Sequence, residues 1–273
     1  MTETYGSARP IAFLIDCLLF LGLALALLYP LTRMDADRFR IGTPLPEFGS
    51  VVSTTTRNGT TTATISGTWT SATCVTPDPV PEAVLVGILP DQVDRVLVCA
   101  DTFMGLPSGH TTHVVYRLFG ETQSGLQGNQ TITVRKVLGS AQYALSTDAA
   151  ANPVRPLFPL GLMTFGLMGA VAALGWPTPG KLITGLRVHA PEGACHPCRE
   201  LRRLGPFLLA SGFTLLTGLL EGVLLALPTL QMAQFAAQIA FWIFAAWYYA
   251  WPYLRSARAA RYDLATGCRV VLA

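Results

Sequence analysis

The chain has 273 residues, of which 51% are hydrophobic and only 13% charged, with a formal net charge of +3. A soluble domain carries about 25% charged residues, so this balance argues against an ordinary soluble protein. Lys and Arg form no nucleic-acid-binding stripe, and the weak positive charge fits anchoring at a membrane face instead.

The apolar residues collect in four runs, at 11–31, 157–176, 206–227 and about 232–254, none containing Lys or Arg. Each approaches the roughly 20 residues that a hydrocarbon core of about 30 Å demands of a helix. The expected fold class is an all-α membrane four-helix bundle with an inserted β-rich extracytoplasmic domain. The expected boundaries are 1–32 for a cytoplasmic terminus and first span, 33–156 for the β-rich periplasmic domain, and 157–273 for three further spans with a cytoplasmic loop and tail.

In the first run Asp16 is an ionisable residue at membrane depth, a default functional candidate, and Arg9 lies seven residues earlier on the same helix face. The run continues to Leu31, past the small-residue site Ala24-Leu25-Ala26, so it reads as an uncleaved span and not a signal peptide.

From 33 to 155 the texture changes to Thr, Ser, Gly, Pro and Asn, with β-type stretches at 51–56, 60–70, 83–89, 93–100, 113–118 and 131–138. Asn58-Gly59 is a hairpin signal. Cys74 and Cys99 are the only cysteines of this segment and are expected to form a disulfide in an oxidising compartment. His110 and His113, with Asp101 upstream, read as solvated loop residues more readily than as metal ligands, because that spacing does not align two rings on a strand.

Beyond 157, Gly166, Gly169, Ala170 and Ala173 supply a close-packing face. The following loop holds Lys181, Arg187, Arg199, Arg202 and Arg203, and the tail holds Arg255, Arg258, Arg261 and Arg269. The positive-inside rule puts both in the cytoplasm, with 33–156 outside the inner membrane of a bacterium. The aromatic group Trp242, Trp247, Tyr248, Tyr249, Trp251 and Tyr253 reads as an interfacial belt. Glu221 sits deep in the third run opposite Gln231, Gln234 and Gln238, either on a proton or cation path or in a hydrogen bond between helices.

Cys195-His-Pro-Cys198 has the spacing of a zinc knuckle, with His189, His196 and Cys268 on the same side, or of a dithiol redox motif; Pro197 suits an inert loop. A reducing compartment disfavours a structural disulfide there. No other cofactor is implied, and no phosphate loop, zincin helix or nucleophile elbow points to an enzyme.

Several of these residues carry a resemblance. The segment Arg9-Pro-Ile-Ala-Phe-Leu-Ile-Asp16, the block Thr178-Pro-Gly-Lys181 running into Gly185-Leu-Arg-Val188, and the tail from Arg261-Tyr-Asp263 to Val271 resemble the RDD family of small bacterial membrane proteins, named for one Arg and two Asp residues. The likeness covers the membrane portion and skips the outer segment. Tyr262 stands where that family often has His, so a titrating His is not carried over.

The resemblance implies transport or binding of ions or small ligands. Arg9, Asp16, Lys181, Arg187 and Asp263 are then the candidate polar site at the inner face, unless these charges only staple the helices. The alternative is an accessory or assembly subunit of a larger membrane complex, docking through the outer domain. The expected partners are the lipid bilayer and a membrane protein or further copies of this chain, without nucleic acid.

Overall fold

A computed structural model describes residues 8–41, 51–57, 60–127, 130–190, 192, 195–220, 228–254 and 261–272. The chain divides into two compact units, one made of Met1–Leu31 with Leu157–Ala273, the other of Thr32–Pro156.

The first unit is built on helical stripes. Helix α1, Ala8–Met34, buries Arg9, Ala12, Asp16, Phe20, Ala24 and Leu28, a recurrence every three or four residues that defines one helix face. Helix α2, Leu160–Ala173, buries Leu160, Thr164, Met168 and Ala172 at a spacing of four. Phe20, Met168 and Leu204 close into one core cluster, with Phe13, Phe165 and Leu208 packed against it.

A short helix, α3 (Pro179–Ile183), opens after Thr178, where Pro179 suits a first turn because its missing N–H would be unpaired there anyway. It leads into strand β1, Leu186–His189. Helix α4, His196–Leu219, carries Leu204, and Pro206 lies inside it, not at its start as the apolar run suggests. Helix α5, Pro228–Leu254, packs on α4 through Phe213 and Phe241, whose ring centroids are 5.1 Å apart. The tail forms α6, Arg261–Leu264, and strand β2, Arg269–Leu272, which pairs antiparallel with β1 from Leu186 opposite Leu272 to His189 opposite Arg269.

The expectation of an all-α four-helix membrane bundle is corrected here. The chain is mixed α and β, and among the described residues only α1 is long and apolar enough to cross a membrane. At 1.5 Å per residue the 14 residues of α2 reach about 21 Å, short of a core of about 30 Å. Helix α4 spends its first two turns on Arg199, Glu200, Arg202 and Arg203, and α5 is interrupted by Gln231, Gln234 and Gln238. Counting apolar residues in a run misses both interruptions.

The second unit is a six-stranded antiparallel meander in chain order: β3 Val51–Arg57, β4 Thr60–Ser66, β5 Thr70–Val75, β6 Val93–Phe103, β7 Leu106–Gln127 and β8 Gln130–Thr147. The stretch 83–89 is not a strand; the 3₁₀ turns Glu82–Val84 and Pro90–Gln92 occupy that region. Strands β7 and β8, of 22 and 18 residues, run far past the apolar stretches that mark them in sequence, paired from His110 opposite Thr147 to Gln127 opposite Gln130. Arg57 and Thr60 are register partners, while Asn58 and Gly59 lie outside the described residues.

Cys74 faces Cys99 across β5 and β6, and the two are joined as a disulfide with Ala63 in the same buried cluster. Arg40 is buried at the edge of this unit, where its guanidinium donates to Thr111 Oγ1 at 2.9 Å, to the Thr147 carbonyl at 3.2 Å and to the His110 carbonyl. Gly109 permits that approach: it has φ +83°, and a Cβ there would lie 2.7 Å from the Ala36 carbonyl oxygen.

Candidate functional site: a buried ion cluster beneath a cationic cleft

In the first unit three distant segments bring their charges together: the start of α1, the stretch from Thr178 to Arg203, and the tail at α6. Asp16 accepts from the Thr178 hydroxyl at 2.6 Å and from the Gly180 N–H at 2.7 Å. A side chain at Gly180 is excluded, because its Cβ would fall 2.0 Å from the Ala12 carbonyl oxygen. The next residue, Lys181, places Nζ 3.2 Å from Glu200 Oε1.

Glu200 is the hub. Besides Lys181 it pairs with Arg203, Nε to Oε2 at 2.8 Å, and with Arg199. Arg199 turns its Nε to Asp263 Oδ1 at 2.6 Å, and Asp263 Oδ2 receives Arg9 Nη1 at 2.9 Å. The ring of Tyr262 lies under Arg199, 5.7 Å from the guanidinium carbon, a cation–π distance. Arg9, Lys181, Arg199 and Arg203 thus face Asp16, Glu200 and Asp263, all buried, so cations exceed carboxylates by one.

The electrostatics follow from this packing. Burial pushes the Glu200 carboxyl up, but Arg203, Lys181 and Arg199 together outweigh it and hold its pKa down to about 2. Burial and the neighbouring Arg203 push the Lys181 ammonium down to about 8, against the pull of Glu200. A cavity of about 20 Å³ remains between Arg9, Asp16, Arg203, Tyr249 and Tyr262, room for about one water.

Above the cluster is a cleft of about 360 Å³ lined by Gly175, Trp176, Pro177, Lys181, Leu182, Gly185, Leu186, Arg187, Val188 and His196. Lys181 lies on the wall of both cavities. His196 Nδ1 is buried and finds no hydrogen-bond partner among the described residues, and burial lowers the imidazole pKa despite the pull of Glu200. Arg187 is exposed on β1, and Trp176 and Leu182 stand out from the surface at the rim.

Of the residues named from sequence, Arg9, Asp16, Lys181 and Asp263 lie in the cluster, whereas Arg187 lines the cleft without joining it. Gln238 donates to Thr214 Oγ1 at 2.6 Å, a bond between α4 and α5; Gln234 sits half-buried on α5. Glu221 lies outside the described residues. In the second unit His110 Nδ1 meets Asp37 Oδ1 at 2.7 Å, and burial raises the Asp101 carboxyl against Thr111 and Arg40.

Cys195 and Cys198 are joined to each other, which differs from the open thiols that a zinc site requires. Among the described residues no group of three or more His, Cys, Asp or Glu is placed to hold a metal.

Sequence reasoning uses Arg199 and Arg203 only as basic residues of a cytoplasmic loop, passes over Glu200, and misses their role. Their spacing carries a usable signal: 199, 200 and 203 continue into Leu204, Phe207, Ala210 and Ser211 as one buried helical stripe.

These features define an α and β protein with, among the described residues, one membrane-length apolar helix and a buried ion cluster that joins Arg9 to Asp263. No family model, curated protein or solved structure matches the chain.

Proposed function

We propose that this chain is an RDD-like protein of the bacterial inner membrane that binds the anionic headgroup of a phospholipid in the cleft around Lys181, Arg187 and His196. The observation that carries this reading is a single cleft whose wall combines Lys181 and Arg187 with the apolar rim residues Trp176 and Leu182. Cations on an apolar lip suit a phosphate attached to acyl chains, since the phosphate gains ion pairs while the chains keep to the rim.

The buried cluster supports the cleft from below. Lys181 belongs to both, and among the described buried residues of the cluster cations outnumber carboxylates, a field that favours an anion in the cleft. Helix α1 is the anchor in this reading: Leu14, Leu18 and Leu23 are exposed along it, the apolar surface that lipid would cover.

The test is native mass spectrometry of the full chain released from nanodiscs holding equal phosphatidylglycerol and phosphatidylcholine. Retention of phosphatidylglycerol, reduced at least five-fold by Arg187→Gln, supports the reading. Equal retention of both lipids contradicts it, and displacement by excess glycerol phosphate identifies a free phosphate ligand instead.

A second reading, an accessory subunit docking through the second unit, is favoured by the length of β7 and β8, 22 and 18 residues paired antiparallel to Gln127 opposite Gln130. Recovery only as a free chain after mild detergent extraction would count against it.

A further inference from the structure

The cysteine pair at the mouth of α4 lies outside the reading above, and its thiol positions are the most accessible of the cysteines. Cys195 and Cys198 are both exposed, whereas Cys74 and Cys99 are fully buried in the sheet, Cys268 is buried and Cys17 half-buried. Cys195 is the N-cap of a 24-residue helix and Cys198 sits in its first turn, so the Cys-His-Pro-Cys spacing puts both sulfurs at the positive end of the helix dipole.

Two observations make this more than a helix end. The two sulfurs are bonded to each other, so the backbone already holds them at the geometry of the oxidised pair. The Cys198 N–H also points at Cys195 Sγ, with N to Sγ 3.2 Å, and such a donor stabilises a thiolate when the bond is open. No acidic residue occupies the first turn of α4, and Arg199 follows directly. The negative charge of the hub residue Glu200 is committed to Lys181, Arg199 and Arg203.

We propose that Cys195 and Cys198 are a redox-active pair that exchanges two electrons with a dithiol, with Cys195 as the sulfur that is attacked. A substrate thiolate attacks Cys195 Sγ; the Cys195–Cys198 bond breaks, a mixed disulfide forms on Cys195, and Cys198 leaves as a thiolate that takes a proton from solvent. The second substrate thiol, deprotonated, attacks its own sulfur in the mixed disulfide. A substrate disulfide forms, and Cys195 departs as the thiolate that the Cys198 N–H stabilises. The substrate dithiol is oxidised and the pair reduced; run backwards, the same steps reduce a substrate disulfide.

This differs from a zinc knuckle, in which both sulfurs stay reduced as ligands, and from an inert loop, in which neither sulfur is favoured. The asymmetry between Cys195 and Cys198 is the distinguishing feature.

The experiment uses the full chain in nanodiscs, equilibrated with graded ratios of reduced to oxidised glutathione, quenched in acid, alkylated and mapped by peptide mass spectrometry. The expected result is a reversible passage of the 195–198 peptide between disulfide and dithiol. With oxidised glutathione, Cys198→Ser should capture a glutathione on Cys195 at least ten-fold faster than Cys195→Ser captures one on Cys198. A pair fixed in one state across the series overturns the proposal, as does equal capture by the two variants. Lipid retention enters neither readout, so this proposal and the headgroup reading fail separately.

Discussion

In the second unit Arg40 is buried, but the other ion pairs stay nearer water: Arg117 meets Asp94 at 2.9 Å with both about half exposed, and His110 meets Asp37 with each about a quarter exposed. In the first unit the corresponding groups are almost fully buried, with Glu200 and Asp263 at 1% exposure. The sheet draws most of its order from a backbone ladder and one disulfide, with the single buried cation Arg40 among its described residues bonded at its edge. The helical unit ties its distant segments with buried ions. The cost of burying those ions is large, so removal of one partner is felt strongly there and weakly in the sheet.

The largest expected effect is therefore Glu200→Gln, which leaves Lys181, Arg199 and Arg203 without their shared carboxylate and should destabilise the first unit by about 3–5 kcal/mol. Hydrogen exchange resolves the units: protection of β1 and β2 should fall while β5 and β6 keep theirs. The same variant carries a pH signature. Because the folded Glu200 carboxyl is held down to about 2, below its ordinary value, its contribution is present above pH about 4.5 and lost as pH falls toward 2. Glu200→Gln should flatten acid unfolding across that window, and an unchanged slope would remove Glu200 from the hub.

Next comes the disulfide. Replacing Cys74 and Cys99 by Ser opens a loop of 25 residues and should cost about 3 kcal/mol, read as lost protection in β5 and β6 alone. Gly180→Ala should follow at about 2–3 kcal/mol in the first unit, because α3 must move off the Ala12 carbonyl. If Gly180→Ala unfolds at the parent temperature, the close approach of α3 to α1 is wrong. The smallest effect is Arg117→Ala, where an exposed pair should contribute less than about 1 kcal/mol by thermal unfolding.

The two units also differ in what their sequences disclose. Asp16, Lys181 and Asp263 stand out as charges beside apolar runs, and the cysteines of the outer segment have only each other. Glu200 is hidden, because a hydrophobicity window reads 199–203 as a polar loop although it is the buried first turns of α4. The pairing of β1 with β2 and of Arg9 with Asp263 joins residues from opposite ends of the chain, and no local period encodes such contacts. The number of membrane-length helices fails for a related reason: apolar composition is summed along a run, whereas helices break where backbone and side chains find other partners.

The most direct measurement of the account is the titration of Lys181, one of only two lysines in the chain with Lys136. Selective ¹³Cε-lysine labelling of a Lys136→Arg variant leaves one resonance to follow by NMR in nanodiscs. In phosphatidylcholine it should titrate at about 8, the value that burial and Arg203 impose. In phosphatidylglycerol an anionic headgroup in the cleft should raise that midpoint by about one unit, because an opposite charge nearby favours the ammonium. A midpoint near the ordinary lysine value in both lipids contradicts the buried cluster, and an identical midpoint near 8 in both contradicts the headgroup in the cleft.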